Sequence, residues 1–160
     1  MRGRLLDAGC GTGEHTLLAA AAGAHALGID RATRAIEIAR AKAVERGIEA
    51  RFAVADARRL EELNERFDTV IDSGLFHVFD DEDRPAYVAS LERVVVPGGQ
   101  CLLMCFSDHQ PGDLGPRRVT QDELRTAFGN GWEVRSIEAA SFETRDGSGA
   151  QAWLAMLDRR

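Results

Sequence analysis

The chain has no apolar run near the roughly 20 residues needed to cross a bilayer, and no charged-then-apolar leader. A soluble, cytoplasmic protein with no membrane partner is expected. A basic surplus is also missing, since 20 Lys and Arg stand against 26 Asp and Glu for a net charge of −6. That balance provides no footprint for wrapping nucleic acid and points to small molecules. Cysteine is scarce: the three are Cys10, Cys101 and Cys105. On one strand Cys101 and Cys105 would share a face roughly 13 Å apart, too far for a disulfide. No metal-ligand spacing occurs, and Cys10 reads as a small residue that fits a glycine loop rather than as a reactive thiol. Repeats and low-complexity linkers are absent, so residues 1–160 are read as one domain large enough to bury a core.

What is present is organised around residues 5–13, Leu-Leu-Asp-Ala-Gly-Cys-Gly-Thr-Gly. Apolar residues followed by three alternating glycines describe a buried strand ending in a tight loop, and residues 14–22 are good helix formers. Such a loop lets a ligand approach bare backbone, and the helix start supplies free N–H groups. The third glycine of the dinucleotide pattern G-x-G-x-x-G is lacking: from Gly9 and Gly11 it falls at Glu14, and from Gly11 and Gly13 at Thr16. Glutamate at a helix start would also repel a pyrophosphate but not a phosphate-free cofactor. The loop favours a phosphate-free nucleoside and argues against a nucleotide-dependent oxidoreductase.

A second strand over residues 24–30 ends on Asp30, 21 positions beyond Gly9. That interval is near the roughly 20 residues at which an acid meets ribose hydroxyls, although Asp30 also suits a helix N-cap. Ala32, Ile36, Ala39 and Ala43 recur at helical spacing and Gly47 closes that helix. A third strand over 51–55 places Asp56 and Ala57 at its carboxyl end, the edge where open α/β sheets collect ligands. A fourth over 67–73 runs into Gly74, Leu75, Phe76 and His77. His77 is placed to act as a base or to orient a substrate, or equally to be a satisfied structural histidine. The acidic run 80–83 before Pro85 reads as a helix start, with Tyr87, Leu91 and Val94 on one face. Pro97, Gly98 and Gly99 turn the chain into a buried strand over 100–106. The loop 107–119, with His109, Arg117 and Arg118, is a candidate for substrate contact, at least one of the arginines being a solvated charge. Thr120 and Glu123 form a capping box, and strands 132–142 and 150–157 pair as a hairpin around Asp146, Gly147, Ser148 and Gly149.

The stretch from Asp7 to Gly13 resembles the first motif of class I S-adenosylmethionine-dependent methyltransferases, an acid followed by G-x-G-x-G. Gly28-Ile29-Asp30, Ala55-Asp56-Ala57, Phe67-Asp68-Thr69-Val70-Ile71-Asp72 and Val96-Pro97-Gly98-Gly99 resemble the later motifs in order. The resemblance implies a three-layer α/β/α sandwich, Rossmann-like, whose seven-stranded, mostly parallel sheet has the order 3-2-1-4-5-7-6 and a C-terminal antiparallel hairpin. It implies S-adenosyl-L-methionine as cofactor, bound through Asp7, Gly9, Cys10, Gly11, Gly13, Asp30, Arg31, Asp56, Ala57, Asp72 and Ser73. In it Asp30 meets the ribose and Asp56 the adenine amino group. Phe76, His77 and His109 are then the substrate-side residues, with His77 the candidate catalytic group.

The fourth-strand end is not the N/D-P-P-Y/F pattern of exocyclic or amide nitrogen methylation. It is similar instead to a small-molecule branch that includes thiopurine, tellurite and heterocycle methyltransferases. The expected acceptor is a small aromatic or heterocyclic molecule bearing a phenol, thiol or ring nitrogen, and alignment supplies much of the rate. A cofactor-binding module without turnover is the alternative. Members of the resembled family generally carry a few tens of residues ahead of the first strand, covering the site. Here that strand starts almost at Met1, so the expectation is an open site that a partner or a preceding segment covers.

Overall fold

The computed structural model describes residues 3–113, 115–144 and 147–160. Leu5, Leu6 and Ala8 are all buried in β1 (Arg4–Ala8), which marks a central strand covered on both faces. It pairs in parallel with β2 (His25–Asp30) on one side and β4 (Phe67–Ser73) on the other. Beyond them lie β3 (Arg51–Val54), parallel to β2, and β5 (Val95–Phe106), parallel to β4. β7 (Ala150–Arg159) runs antiparallel between β5 and β6 (Trp132–Phe142), giving the order β3-β2-β1-β4-β5-β7-β6 that the resemblance implies. Antiparallel to an antiparallel neighbour, β6 points the same way as β5, and so both end at the same edge of the sheet.

The period-2 alternation of strands assigns the two faces. Leu6 and Ala8 join Leu27, Ile29 and Val70 in a core shared with α3 (Asp83–Val94) and α4 (Gln121–Ala127). Leu5 packs with Ala19, Ala20 and Ala26, on the side of α1 (Glu14–Ala21). α2 (Thr33–Arg46) turns Ile36, Ala39 and Ala43 inward against Leu17 and Phe52, and the left-handed Gly47 ends it as the sequence indicates. The acidic run ahead of α3 is a helix start: Asp80 Oδ1 accepts the N–H groups of Glu82 and Asp83 at 3.0 and 2.9 Å. Tyr87, Leu91 and Val94 are buried from that helix, and Thr120 and Glu123 close both bonds of the capping box on α4.

Beyond shifts of one residue at the ends of β2 and β3, three details differ from the sequence reading. Pro97, Gly98 and Gly99 do not precede a strand but are carried inside β5 as an irregularity, since pairing to β4 shifts between Phe67 and Thr69. A 3-10 segment, Ala57–Leu63, covers the sheet where no element was expected, its signal being Asp56 as N-cap and the buried pair Ala57 and Leu60. β7 extends to Arg159 rather than stopping at 157. Asp146 of the hairpin connection lies outside the described residues. All three cysteines are free and buried, and among the described residues no helix is long and apolar enough to cross a membrane.

Candidate functional site

The glycine loop leaves β1 at the carboxyl edge of the sheet, and its glycines serve different ends. Gly11 has φ 51°, and a Cβ built on it would meet nothing within 4 Å, so it offers bare backbone to open space. Gly13 has φ 84°, and a Cβ there would lie 2.7 Å from Phe52 and 2.8 Å from Ala39, so its absence lets α1 start hard against its neighbours. Asp7 lies beneath this loop, 1% exposed, and accepts the Thr16 hydroxyl at 2.6 Å. Burial pushes its carboxyl upward, and through Thr16 it ties α1 to β1. Cys10 donates its N–H to Ile29 at 2.8 Å, and burial pushes its thiol up to about 12, leaving it inert and turned inward. Glu14 reaches across to Lys42 and Arg46, each at 2.8 Å, and is drawn down to about 2 by those partners. Its charge is thus compensated, and the glycine spacing alone carries the argument against a pyrophosphate.

Asp30 is held at the end of β2 by two backbone donors. Its Oδ2 accepts from Gly11 N–H at 2.9 Å and its Oδ1 from Ala32 N–H at 2.8 Å. Each oxygen keeps acceptor capacity, and the residue is only half-buried. The carboxylate therefore braces the glycine loop and the entry to α2 while still offering two oxygens to a vicinal diol. Ala55 N–H donates to Asp30 O at 3.1 Å, which brings the end of β3 alongside. There Arg58 grips Asp56, donating from its backbone N–H at 3.0 Å and from Nη2 at 2.7 Å, with its Nη1 on Asp83 at 2.7 Å. The guanidinium holds Asp56 down to about 2, so it is an acceptor at any working pH. Arg31 is exposed beside it and Ala57 is buried.

At the end of β4 the side chains of Asp72 and Phe76 both turn inward. Asp72 is fully buried, its carboxylate accepting Leu75 N–H at 2.8 Å, Phe76 N–H at 3.1 Å and the Tyr87 hydroxyl at 2.8 Å. Burial pushes it up to about 6 despite those bonds. It clamps the turn through both of its oxygens. Phe76 is fully buried, 5.8 Å from Phe128 and under the Arg84 guanidinium at 4.6 Å, and belongs to the core. Ser73 stays half-exposed at the strand end. Leu75 lies over Gly9, where an added Cβ would come within 3.0 Å of it, so this turn and the glycine loop meet.

His77 follows on that turn with its Nδ1 accepting Phe106 N–H at 2.9 Å. Burial, then the charges of Arg84 and Arg118, push its pKa down to about 4. Its ring sits 4.8 Å from Phe106 and 6.0 Å from Phe142, and those two phenylalanines are 5.4 Å apart. Arg118 covers the Phe106 ring at 5.5 Å. Sequence reasoning missed Phe106 and Phe142 as site residues because only the shared direction of β5 and β6 brings their ends together. His109 is exposed and edge-on to Trp153 at 4.9 Å. Arg117 bridges Asp81 and Glu123, while Arg118 donates to the carbonyls of Pro116 and Gly112, so neither is merely a solvated charge. Among the described residues no cluster could hold a metal ion. A recess of about 670 Å³ opens at the opposite edge around His25, Arg51 and Glu65, away from all of these groups.

Residues 5–99 match the model of a family described as a methyltransferase domain. The chain is 38% identical over 143 residues to a 2-heptyl-1-hydroxyquinolin-4(1H)-one methyltransferase of Mycobacteroides abscessus, covering 88% of this chain and 63% of that protein. The chain thus spans less than two thirds of that relative. A solved protein described for the conversion of a disulfide bond into a thioacetal group during echinomycin biosynthesis superposes with a TM-score of 0.87 at 37% identity. That match covers 98% of this chain and 76% of the other. Magnesium protoporphyrin IX methyltransferase from Synechocystis PCC 6803, solved with bound S-adenosylmethionine, shares the fold with a TM-score of 0.74 at 22% identity, over 96% of this chain and 68% of its own. The bare backbone at Gly11, the braced Asp30 and the ionised Asp56 suit the ribose and adenine of that cofactor.

Proposed function

Because the chain belongs to the S-adenosylmethionine-dependent methyltransferases, we propose that it moves a methyl group from S-adenosylmethionine to an oxygen, sulfur or nitrogen of a small molecule. When bound, the cofactor supplies an electrophilic sulfonium methyl group and leaves as a neutral thioether. The residues proposed to hold it are Gly9, Gly11, Asp30 and Asp56, with Arg31, Ala57 and Ser73 at the margins. Asp30 takes the ribose hydroxyls on the two oxygens already steadied by Gly11 and Ala32. Asp56 takes the adenine amino group on Oδ2, which accepts from Arg58 Nη2 in the structure. No phosphate has to be accommodated, in keeping with the glycine spacing.

The observation that carries the small-molecule part is the group formed by His77, Phe106 and Phe142 beside the β4 turn, an aromatic wall of the size of one ring system. It agrees with the relative named for a hydroxylated quinolone and with the solved relative named for chemistry at sulfur. In-line displacement at a sulfonium needs alignment above all, and two ring faces beside the cofactor edge supply it. The test is mass spectrometry after incubation with isotope-labelled S-adenosylmethionine and a panel of phenols, thiols and heterocycles, with transfer RNA and protein as controls. Label on members of the small-molecule panel is expected. Label confined to RNA or protein contradicts the proposal.

A further inference from the structure

We propose that His77, Phe106 and Phe142 form the acceptor subsite, and that His77 serves there as a hydrogen-bond donor to an acceptor that arrives ionised, an acidic hydroxyl or thiol on a planar ring. The argument starts from the tautomer. Nδ1 of His77 accepts the backbone N–H of Phe106 at 2.9 Å, which requires the lone pair on that nitrogen and puts the proton of the neutral ring on Nε2. Nε2 makes no hydrogen bond among the described residues, and it lies 3.5 Å from the position a Cβ would take on Gly74. Phe142 lies 3.8 Å from the same point. The missing side chain at Gly74 therefore leaves a gap bounded by an N–H donor and an aromatic ring, next to the turn that rests on the glycine loop.

A base needs a free lone pair, and the imidazole has none to give here. Its only unprotonated nitrogen is held by Phe106 N–H. The charged groups around the ring point the same way. Arg84 faces it from α3 and Arg118 from the loop after β5, and both disfavour a second proton on the imidazole. Arg117 and Asp80 border the recess that His77 shares with Val78 and Pro116. Burial is the first cause that keeps His77 neutral, and the Arg84 and Arg118 charges that add to it favour an anion in front of Nε2. Phe106, with the Arg118 guanidinium on its ring, and Phe142 provide apolar faces for the ring that carries the anion. In the transfer, the acceptor's oxygen or sulfur lone pair forms the new bond to carbon as the carbon–sulfur pair withdraws onto the cofactor sulfur. With the acceptor already ionised, no proton has to be taken up by the protein.

The experiment uses para-nitrophenol, whose absorbance reports its own ionisation, titrated with pH in the presence of the wild-type chain, His77→Asn and His77→Gln. Asparagine keeps an acceptor for Phe106 N–H and loses the Nε2 donor; glutamine reaches the donor position and gives up the acceptor. The wild type should lower the apparent pKa of the bound phenol by about one unit, a tenfold shift in its ionisation that one hydrogen bond to a charged acceptor can supply. His77→Asn should lose most of that shift and His77→Gln should recover part of it, which a purely structural histidine would not produce. An unshifted phenol on the wild type, or an equal shift on His77→Asn, overturns the inference. A second arm needs no variant: across ring-substituted phenols, the pH midpoint of kcat/KM should follow the acceptor's own pKa, and a midpoint fixed for all acceptors overturns the donor role. The inference rests on the methyl-transfer reading only in this second arm. A shifted phenol with no methyl transferred to any acceptor removes the proposed function and leaves the subsite, whereas methylation with an unshifted phenol does the reverse.

Discussion

The two halves of the carboxyl edge are built by different means. On the β1 to β3 side the site consists of backbone and carboxylates, each fixed by partners close at hand: Asp30 by Gly11 and Ala32, Asp56 by Arg58. On the β4 to β6 side it consists of rings from His77, Phe106 and Phe142, drawn together only by the sheet. Under the proposed function, the first half recognises a ligand whose polar groups are constant, and the second presents faces that discriminate by shape and charge. Between them Asp72, deep under the turn, ties Leu75 and Tyr87 together.

The largest effect separating backbone from side-chain construction should come from the glycine loop. Gly13→Ala adds a Cβ 2.7 Å from Phe52 in a left-handed conformation, which should cost about 2 to 5 kcal/mol of stability from strain and overpacking. Gly11→Ala, where the Cβ meets nothing, should cost about 1 to 2 kcal/mol and act mainly on cofactor affinity. Thermal melts of the two variants with and without S-adenosylmethionine check this; equal destabilisation would erase the distinction between packing glycine and ligand glycine.

The next prediction sets the clamp against the subsite histidine. Asp72 is raised to about 6 in the fold, so its stabilising contribution is complete below its ordinary 3.8 and is lost as pH rises through 6. His77 is lowered to about 4, so its contribution is complete above its ordinary 6.5 and is lost as pH falls through 4. Each group carries roughly 3 kcal/mol at 1.36 kcal/mol per pKa unit, with opposite sign. Between pH 4 and 6 they offset one another, and the wild-type Tm should be nearly level. Asp72→Asn should make Tm climb with pH across that window, by several degrees, and His77→Asn should make it fall. Parallel slopes in both variants would show that the two groups do not titrate as their surroundings dictate.

Smaller effects sharpen the division. Phe142→Ala should lower kcat/KM for aromatic acceptors by about two- to tenfold, the range of an aromatic contact, while leaving Tm and cofactor affinity close to wild type. Glu14→Gln removes the ion pairs to Lys42 and Arg46 on an exposed surface and should change stability by less than about 1 kcal/mol, less still at high salt. A comparable loss of cofactor affinity in Glu14→Gln would mean that this pair, and not Gly11, sets the loop.

How much of this was legible in the sequence follows the same division. The glycine loop, the capping box and the inward face of α3 were readable because each rests on residues a few positions apart, and the strand order followed from the resemblance. Asp7, Asp72 and Phe76 were placed in the right region, but their burial was not legible, since a motif fixes a residue's position on the edge and not whether its side chain turns in or out. Thr16 and Tyr87, which hold those acids, lie 9 and 15 positions away. Phe142 lies far along the chain from His77 and carries no local signal; only the direction of β6, set through β7, brings it to the site.

The central claim is that cofactor and acceptor are held by separate halves of one edge. Calorimetric titration of S-adenosylmethionine into the wild type, Asp30→Ala and Phe142→Ala tests it most directly. The account predicts binding by the wild type, a Kd raised about ten- to hundredfold in Asp30→Ala, as for lost hydrogen bonds to a charged group, and an unchanged Kd in Phe142→Ala. No binding by the wild type, or equal losses in the two variants, would contradict it.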